Sequence, residues 1–280
     1  MMSPLVSIVT IVYNEAEHVG QTLSSVRHQT YEQTEHVIID GGSTDGTLDI
    51  INDYKDRLAY LESGQDSGIS NAFNRGIQQV SGELVAILNA GDWYHPNTVE
   101  TVVEHAAKHA ECDVMYGDLM LVSEDGAPTH RRSAARCLTP NDFAYRMPAV
   151  PHPTVFARRA CYTEEPFDER LEYAMDYDWL RRLIQKGRKF SRVETSSPLA
   201  YMRIAGKSNN QYDRTIAEVY NITQRYADSP SISYMYNKLY RISKYRIRRI
   251  IEDTPLGDEI IRRFRSALVQ VGIRDWKIES

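Results

Sequence analysis

Apolar runs that stop on acids recur along the first part of the chain, and each is followed by a helical pattern. Leu5–Tyr13 (LVSIVTIVY) is rich in β-branched residues and reads as a first strand, followed by Asn14-Glu15 and a helical pattern with Val19, Leu23 and Val26 on one face. His36–Ile39 ends on Asp40. Leu58–Glu62 is followed by Asp66-Ser67-Gly68 and a helix from Ile69 to Val80. Leu84–Leu88 is a fourth run, and it turns sharply through Asn89-Ala90-Gly91-Asp92. Runs this short, bounded by polar residues, suit strands buried on both faces. Fourfold alternation of strand and helix implies a mostly parallel α/β sheet with helices on both faces. Such sheets bind ligands at the carboxyl ends of their strands. Asp40, Asp66 and Asp92 are therefore expected to converge on one edge, where like charges are unfavourable without a cation. A carboxylate at Asp92 suits a divalent cation held against a diphosphate, since hard cations take oxygen ligands. The competing reading is that Asp92 caps the helix expected to start near Pro96.

The 280 residues allow one large α/β domain with an appendage. A net charge of −5 gives no argument for nucleic-acid binding. No apolar run is long enough to span a membrane, and MMSPLVSIVTIV reads as a strand rather than a signal peptide. The three cysteines, Cys112, Cys137 and Cys161, fit a reducing cytosol without a disulfide framework or a zinc pattern.

Four stretches carry a resemblance: SIVTIVYNE at 7–15, VIIDGGSTDGT at 37–47, DSGISNAFNRGI at 66–77 and GELVAILNAGD at 82–92. In this order and spacing they resemble the inverting glycosyltransferases of family 2. The resemblance implies a GT-A fold over 1–210, and the residues after it read as a helical C-terminal extension at 211–280. It implies transfer of a sugar from a nucleotide-diphosphate sugar, commonly a UDP-sugar, to a hydroxyl acceptor in cell-surface polysaccharide assembly. Donor contacts are implied for Thr10, Val12, Glu15, Asp40, Ser43, Asp66, Asn74, Asn89, Ala90 and Gly91. Asp92 is implied to hold Mn2+ or Mg2+, with Asn89 standing where the family has an acid. Asp176 matches the family's catalytic base, Met175 replaces the preceding Glu, and Asp178 is the other candidate. His152 is implied on the acceptor side.

Several segments keep two readings. Val114–Val122 reads as one strand and Glu124-Asp125-Gly126 as a hairpin turn. The basic stretch Thr129–Arg136 reads as a solvated edge strand or a phosphate site. Ala205–Ser208 resembles a loop that closes over the donor, where Arg203 and Lys207 would meet phosphates; it also reads as plain surface. From Asp213 onward the pattern is helical. Lys238–Arg249 carries six cations and no acid, with apolar residues near one face. A helix over 236–251 of that kind suits peripheral contact with the inner face of a membrane near a lipid-linked acceptor, or packing on the catalytic domain. A nucleotidyltransferase and an inactive sugar-nucleotide binder are the rival readings of the whole chain.

Overall fold

The structure is a computed structural model that describes residues 3–139, 143, 148–204 and 212–226. A seven-stranded sheet runs in the order β10-β6-β9-β4-β1-β2-β3. Its interior strand β1 (Val6–Val12) is buried at every position, so no polar alternation marks it. It pairs in parallel with β2 (Thr34–Asp40) and with β4 (Leu84–Ile87), and β2 pairs in parallel with β3 (Tyr60–Ser63). Helices α1 (Val19–Arg27), α2 (Thr47–Asn52) and α3 (Ile69–Gln78) make the crossovers. Val6, Ile8, Leu84, Ala86 and Phe156 belong to one core cluster, and Val12, Leu23, Ile38 and Ile51 to another. Each such fully buried aliphatic or aromatic side chain is worth about 1.5–3 kcal/mol.

The chain steps outward from β1 to β2 and β3, then returns to β4 on the other side of β1. That reversal opens a crevice between the carboxyl ends of β1 and β4, the place where such sheets bind ligands. Close packing of α3 tightens the return. A Cβ on Gly76 would lie 2.4 Å from Val9 Cγ1, so only glycine lets this helix sit against β1.

Beyond β4 the sheet is extended by β9 (Phe156–Arg158), which runs antiparallel between β4 and β6 (Val114–Tyr116), and by β10 (Phe190–Arg192). A second sheet has the order β5-β11-β7-β8, built from Trp93–Tyr94, Ala200–Arg203, Leu119–Val122 and Pro128–Arg132. The single strand expected over 114–122 is thus divided between the two sheets. Leu199 Cδ1 lies 2.6 Å from where a Gly117 Cβ would stand, and the buried Asp118 accepts from Arg131 Nε (2.9 Å) and Arg192 Nη2 (2.8 Å). These contacts turn the backbone out of the first sheet. The hairpin expected at 124–126 joins β7 to β8.

Further α-helices among the described residues are α4 (Thr98–Lys108), α5 (Arg159–Glu164), α6 (Met175–Gln185) and α7 (Tyr212–Tyr226). α6 ends at Gln185, and Gly187 just beyond it has a φ of 77°, the left-handed conformation of a glycine helix stop. None of the helices among the described residues is long and apolar enough to cross a membrane. One compact unit comprises Met1–Phe143 and Met147–Ile222; the other comprises Ala144–Arg146 and Thr223–Ser280. The boundary expected at 210/211, Lys207, the 205–208 loop and the basic segment 236–251 lie outside the described residues.

Candidate active site at the carboxyl edge of the sheet

The turn after β4 is held by three neighbours. Leu88 and Ala90 donate their amides to Val9 O (2.9 Å) and Ile11 O (3.1 Å), prolonging the ladder along β1. Gly91 then adopts a φ of 95°, which a side chain would strain. From α1, the buried Thr22 hydroxyl accepts from the Gly91 amide (3.0 Å) and donates to Asp92 O (2.7 Å). Asp92 ends up 8% exposed. Burial, and after it the nearby Glu15 carboxylate, push its pKa well above the usual range. Asn97, not Asp92, occupies the N-cap of α4, so the capping alternative falls.

A divalent cation fits this turn. Among the described residues, Asn89 Oδ1 is buried with no hydrogen-bond partner, and Asp92 is a buried carboxylate facing the charge of Glu15. An all-oxygen donor set of this kind suits Mn2+ or Mg2+. The three-acid cluster expected from Asp40, Asp66 and Asp92 does not form. No group of three or more His, Cys, Asp or Glu able to hold a metal occurs among the described residues. The reason is topological: β1 lies between β2 and β4, so the ends of those two strands stand two strand spacings apart, about 9–10 Å.

Asp40 is instead the foundation of its own loop. It is fully buried and accepts from the Gly42 amide (3.0 Å), the Ser43 amide (3.0 Å), the Ser43 hydroxyl (2.5 Å) and the Ser63 hydroxyl (2.7 Å). That loop clasps the one after β1. Asn14 N donates to Ser43 Oγ (2.8 Å), Glu15 N to Thr47 Oγ1 (2.9 Å) and Ala16 N to Asp45 Oδ2 (3.1 Å). Thr44 N donates in return to Asn14 Oδ1 (2.8 Å), with Asn14 held at a φ of 50°. Hydroxyls and carboxylates in GGSTDGT thus fix two loops at the crevice before any ligand arrives. Asp66 joins them, its Oδ2 being 2.9 Å from where a Gly41 Cβ would stand, while its Oδ1 accepts from the Gly68 amide (2.9 Å).

Three residues expected at the donor make hydrogen bonds within the fold. Thr10 Oγ1 pairs with His36 Nε2 (2.9 Å) inside the fold, where burial lowers the pKa of His36 to about 4. The carbonyl of Val12 accepts from Gly41 N (2.9 Å). Asn74 is bound on both sides of its amide to Phe167, accepting from its N (2.9 Å) and donating to its O (3.0 Å). Asn74 braces the segment that leads to α6. Ser70 adds to the brace by donating to Leu171 O (2.5 Å).

That segment delivers Asp176 to the first turn of α6, where free amides and the helix dipole favour a carboxylate. Burial raises the pKa of Asp176, and the neighbouring His152 opposes the rise. His152 stands in a short 3-10 turn (His152–Thr154) and stacks on Phe73 of α3 at 5.4 Å. Burial lowers its own pKa, so the ring is neutral near pH 7. Asp176 and His152 are thus close enough to act on each other electrostatically. Arg132 also acts on Asp176 electrostatically, a neighbour that the basic stretch alone did not identify. Asp178 turns inward: it is 1% exposed and accepts from Arg182 Nε (2.8 Å), which removes it as the alternative base. Arg203 lies 5.1 Å from the Trp93 ring and donates to Gln21 Oε1 (2.6 Å) and to Glu124 O, which ties it to the residue after Asp92.

The family model for glycosyl transferase family 2 matches residues 7–171, from the start of β1 to the brace before Asp176. The chain belongs to glycosyl transferase family 2. It is a glycosyltransferase with a GT-A fold, a central sheet flanked by helices. It is 28% identical over 219 residues to a PGL/p-HBAD biosynthesis glycosyltransferase of Mycobacterium bovis, covering 76% of this chain and 83% of that one. It is 32% identical over 130 residues to TuaG of Bacillus subtilis, a putative teichuronic acid biosynthesis glycosyltransferase, covering 45% of this chain and 50% of that one. Two solved structures share the fold. S. aureus TarS 1-349 with UDP-GlcNAc superposes with a TM-score of 0.64 at 18% identity, covering 91% of this chain and 77% of that chain. The Pyrobaculum calidifontis mannosyltransferase PcManGT, with GDP-Man and Mn2+, gives 0.63 at 16%, covering 96% and 81%.

Proposed function

We propose that this family 2 enzyme transfers one sugar, with inversion, from a UDP-sugar to a hydroxyl on a glycan or lipid-linked acceptor. The observation that carries the reading is the contrast between two carboxylates. Asp92 sits in an oxygen-rich turn beside Glu15, where its charge calls for a cation; Asp176 sits against a neutral His152 with its pKa raised. Burial raises the pKa of both, and it is their different neighbours, Glu15 for Asp92 and His152 for Asp176, that divide the chemical roles. Asp176 takes the acceptor proton as the hydroxyl attacks the anomeric carbon from the face opposite the leaving group. A raised pKa makes its ionised form a stronger base. Asn89 and Asp92 would hold the divalent ion, which supplies positive charge to a departing diphosphate. Asp66 and the clasped loops at 13–16 and 41–47 form the nucleotide floor. The UDP preference draws on the family tendency and on TarS, which was solved with UDP-GlcNAc.

Cell-surface assembly draws on the mycobacterial and Bacillus relatives. Residues 1–210 are assigned as the catalytic domain and 211–280 as a helical extension, whose basic stretch 236–251 would rest on the inner face of a membrane. Incubation with UDP-, GDP- and dTDP-sugars and Mn2+ tests the reading. Release of UDP supports it. Pyrophosphate release from a nucleoside triphosphate with a sugar phosphate would point to a nucleotidyltransferase, and stabilisation by no nucleotide at all would remove it.

A further inference from the structure

We infer that Glu218 of α7 is a positioning residue for the base, holding Asp176 in place through the backbone that precedes it. Three consecutive amides just before α6 converge on this one side chain. Glu172 N donates to Glu218 Oε1 (2.9 Å), and Tyr173 N (2.8 Å) and Ala174 N (2.9 Å) both donate to Oε2. Successive amides pointing into one concavity form a nest that takes an anion, and here the anion comes from a helix 44–46 residues further along the chain. The N-cap of α6 is Ala174, which has no side chain able to cap, so Glu218 takes the place of a local cap from outside.

Asp176 follows two residues after the last amide held. The first bond of the helix, Asp178 N to Ala174 O (3.0 Å), starts from the same residue. On the other flank the lead-in is pinned by Ser70 to Leu171 O and by Asn74 to Phe167. The base is therefore set from both directions. α3, which opens beside the nucleotide floor at Asp66, fixes residues 167–171, and α7 fixes 172–174. Val219 and Ile222 are buried, which keeps α7 in place behind Glu218. Arg214 Nη1 reaches the Tyr173 hydroxyl at 3.4 Å from the same helix. Glu218 touches no reacting atom in this arrangement. Its effect on the rate passes through the geometry of Asp176, and misplacing a catalytic group by about 1 Å costs on the order of a hundredfold.

This inference rests on the role proposed for Asp176, and the test separates the two. Glu218→Ala, Glu218→Gln, Asp176→Asn and the double variant Asp176→Asn/Glu218→Ala are compared with wild type. The rate is UDP release, with water as acceptor and Mn2+ present, from whichever of UDP-glucose, UDP-galactose and UDP-N-acetylglucosamine the wild type cleaves fastest. Affinity for UDP with Mn2+ is measured by calorimetry, and amide exchange is followed over 172–178. Glu218→Ala is expected to lose roughly tenfold to a hundredfold in rate. UDP affinity should stay within about twofold, and exchange at 172–178 should accelerate. Glu218→Gln, which keeps one accepting oxygen, should lie between it and wild type. In the double variant Glu218→Ala should add no further loss to Asp176→Asn, because two residues acting through one group are not additive. A full additional loss there, an unchanged rate in both Glu218 variants, or unchanged exchange over 172–178 would overturn the inference. If the wild type releases no UDP, the donor reading fails, and the exchange measurement alone decides whether Glu218 holds this turn.

Discussion

Asp92→Asn should make the ligand-free fold more stable and the ligand-bound fold less so. Asp92 is 8% exposed, and both its burial and the Glu15 charge disfavour ionisation. A buried polar group whose needs are unmet costs about 1–3 kcal/mol, more when charged. Asparagine keeps the shape and sheds the charge. At roughly 2–4 °C per kcal/mol for a chain of this class, the ligand-free melt should rise by roughly 2–12 °C. The sign follows from linkage. A carboxyl with a raised folded pKa holds its proton more tightly in the folded chain, so ionisation above the ordinary value of 3.8 costs stability. The gain from Asp92→Asn should be present at pH 7 and vanish as the pH falls to that ordinary value. With Mn2+ and UDP at 100 times the dissociation constant, the wild type gains about 2.7 kcal/mol, or roughly 5–11 °C. The variant should gain little, and chelation of the metal should abolish the difference in response. The assay is a thermal melt at pH 7 and pH 4, with UDP in Mn2+ or in chelator. A lower ligand-free melt together with an intact Mn2+-dependent gain would refute the reasoning.

Other outcomes follow from the same geometry. Asp176→Asn should lose roughly 10²–10⁴-fold in turnover with UDP affinity nearly unchanged, as calorimetry and steady-state rates would show. Because the base works ionised and its pKa is raised, the rate should fall with acid on a limb lying above 3.8; a limb below that value would contradict the assignment. Thr22→Val removes the hydroxyl that orders Gly91 and Asp92, and Mn2+ affinity in the presence of UDP should weaken about tenfold or more, the usual effect of losing an outer partner of a metal ligand. For residues 236–251, co-sedimentation with anionic vesicles at low salt, lost at high salt and on truncation before Ser231, is expected. Absence of binding to anionic vesicles at low salt would remove the membrane role.

Where function lies in local runs, the sequence was readable. β-branched stretches ending on Asp40 and Asn89–Asp92 announced strands and the polar turns at their ends, because strand and turn preferences act within a few residues. Distant pairings were not. Thr10 looks like a donor contact in its motif, yet its hydroxyl is turned to His36, 26 positions away. Asn74 looks the same, yet it is bound to Phe167 across 93 positions. Thr22 carries no local signal, although it holds the turn of Asp92 from α1. Glu218 gave none either, since a cap supplied from another helix leaves no spacing pattern. The split of 114–122 escaped because Gly117 and Asp118 act through Leu199, Arg131 and Arg192, all remote in sequence. The expected gathering of three acids failed on strand order, which the run of strands did not disclose: β1 separates β2 from β4.

The central claim is displacement at the anomeric carbon, assisted by Asp176, with inversion. Proton NMR during cleavage of an α-linked UDP-hexose in Mn2+ tests it most directly, because the anomeric signal of the first-formed sugar reports the face of attack before mutarotation erases it. The β anomer is expected first, with the signal lost in Asp176→Asn. First appearance of the α anomer, or β anomer formed at the wild-type rate by Asp176→Asn, would contradict it.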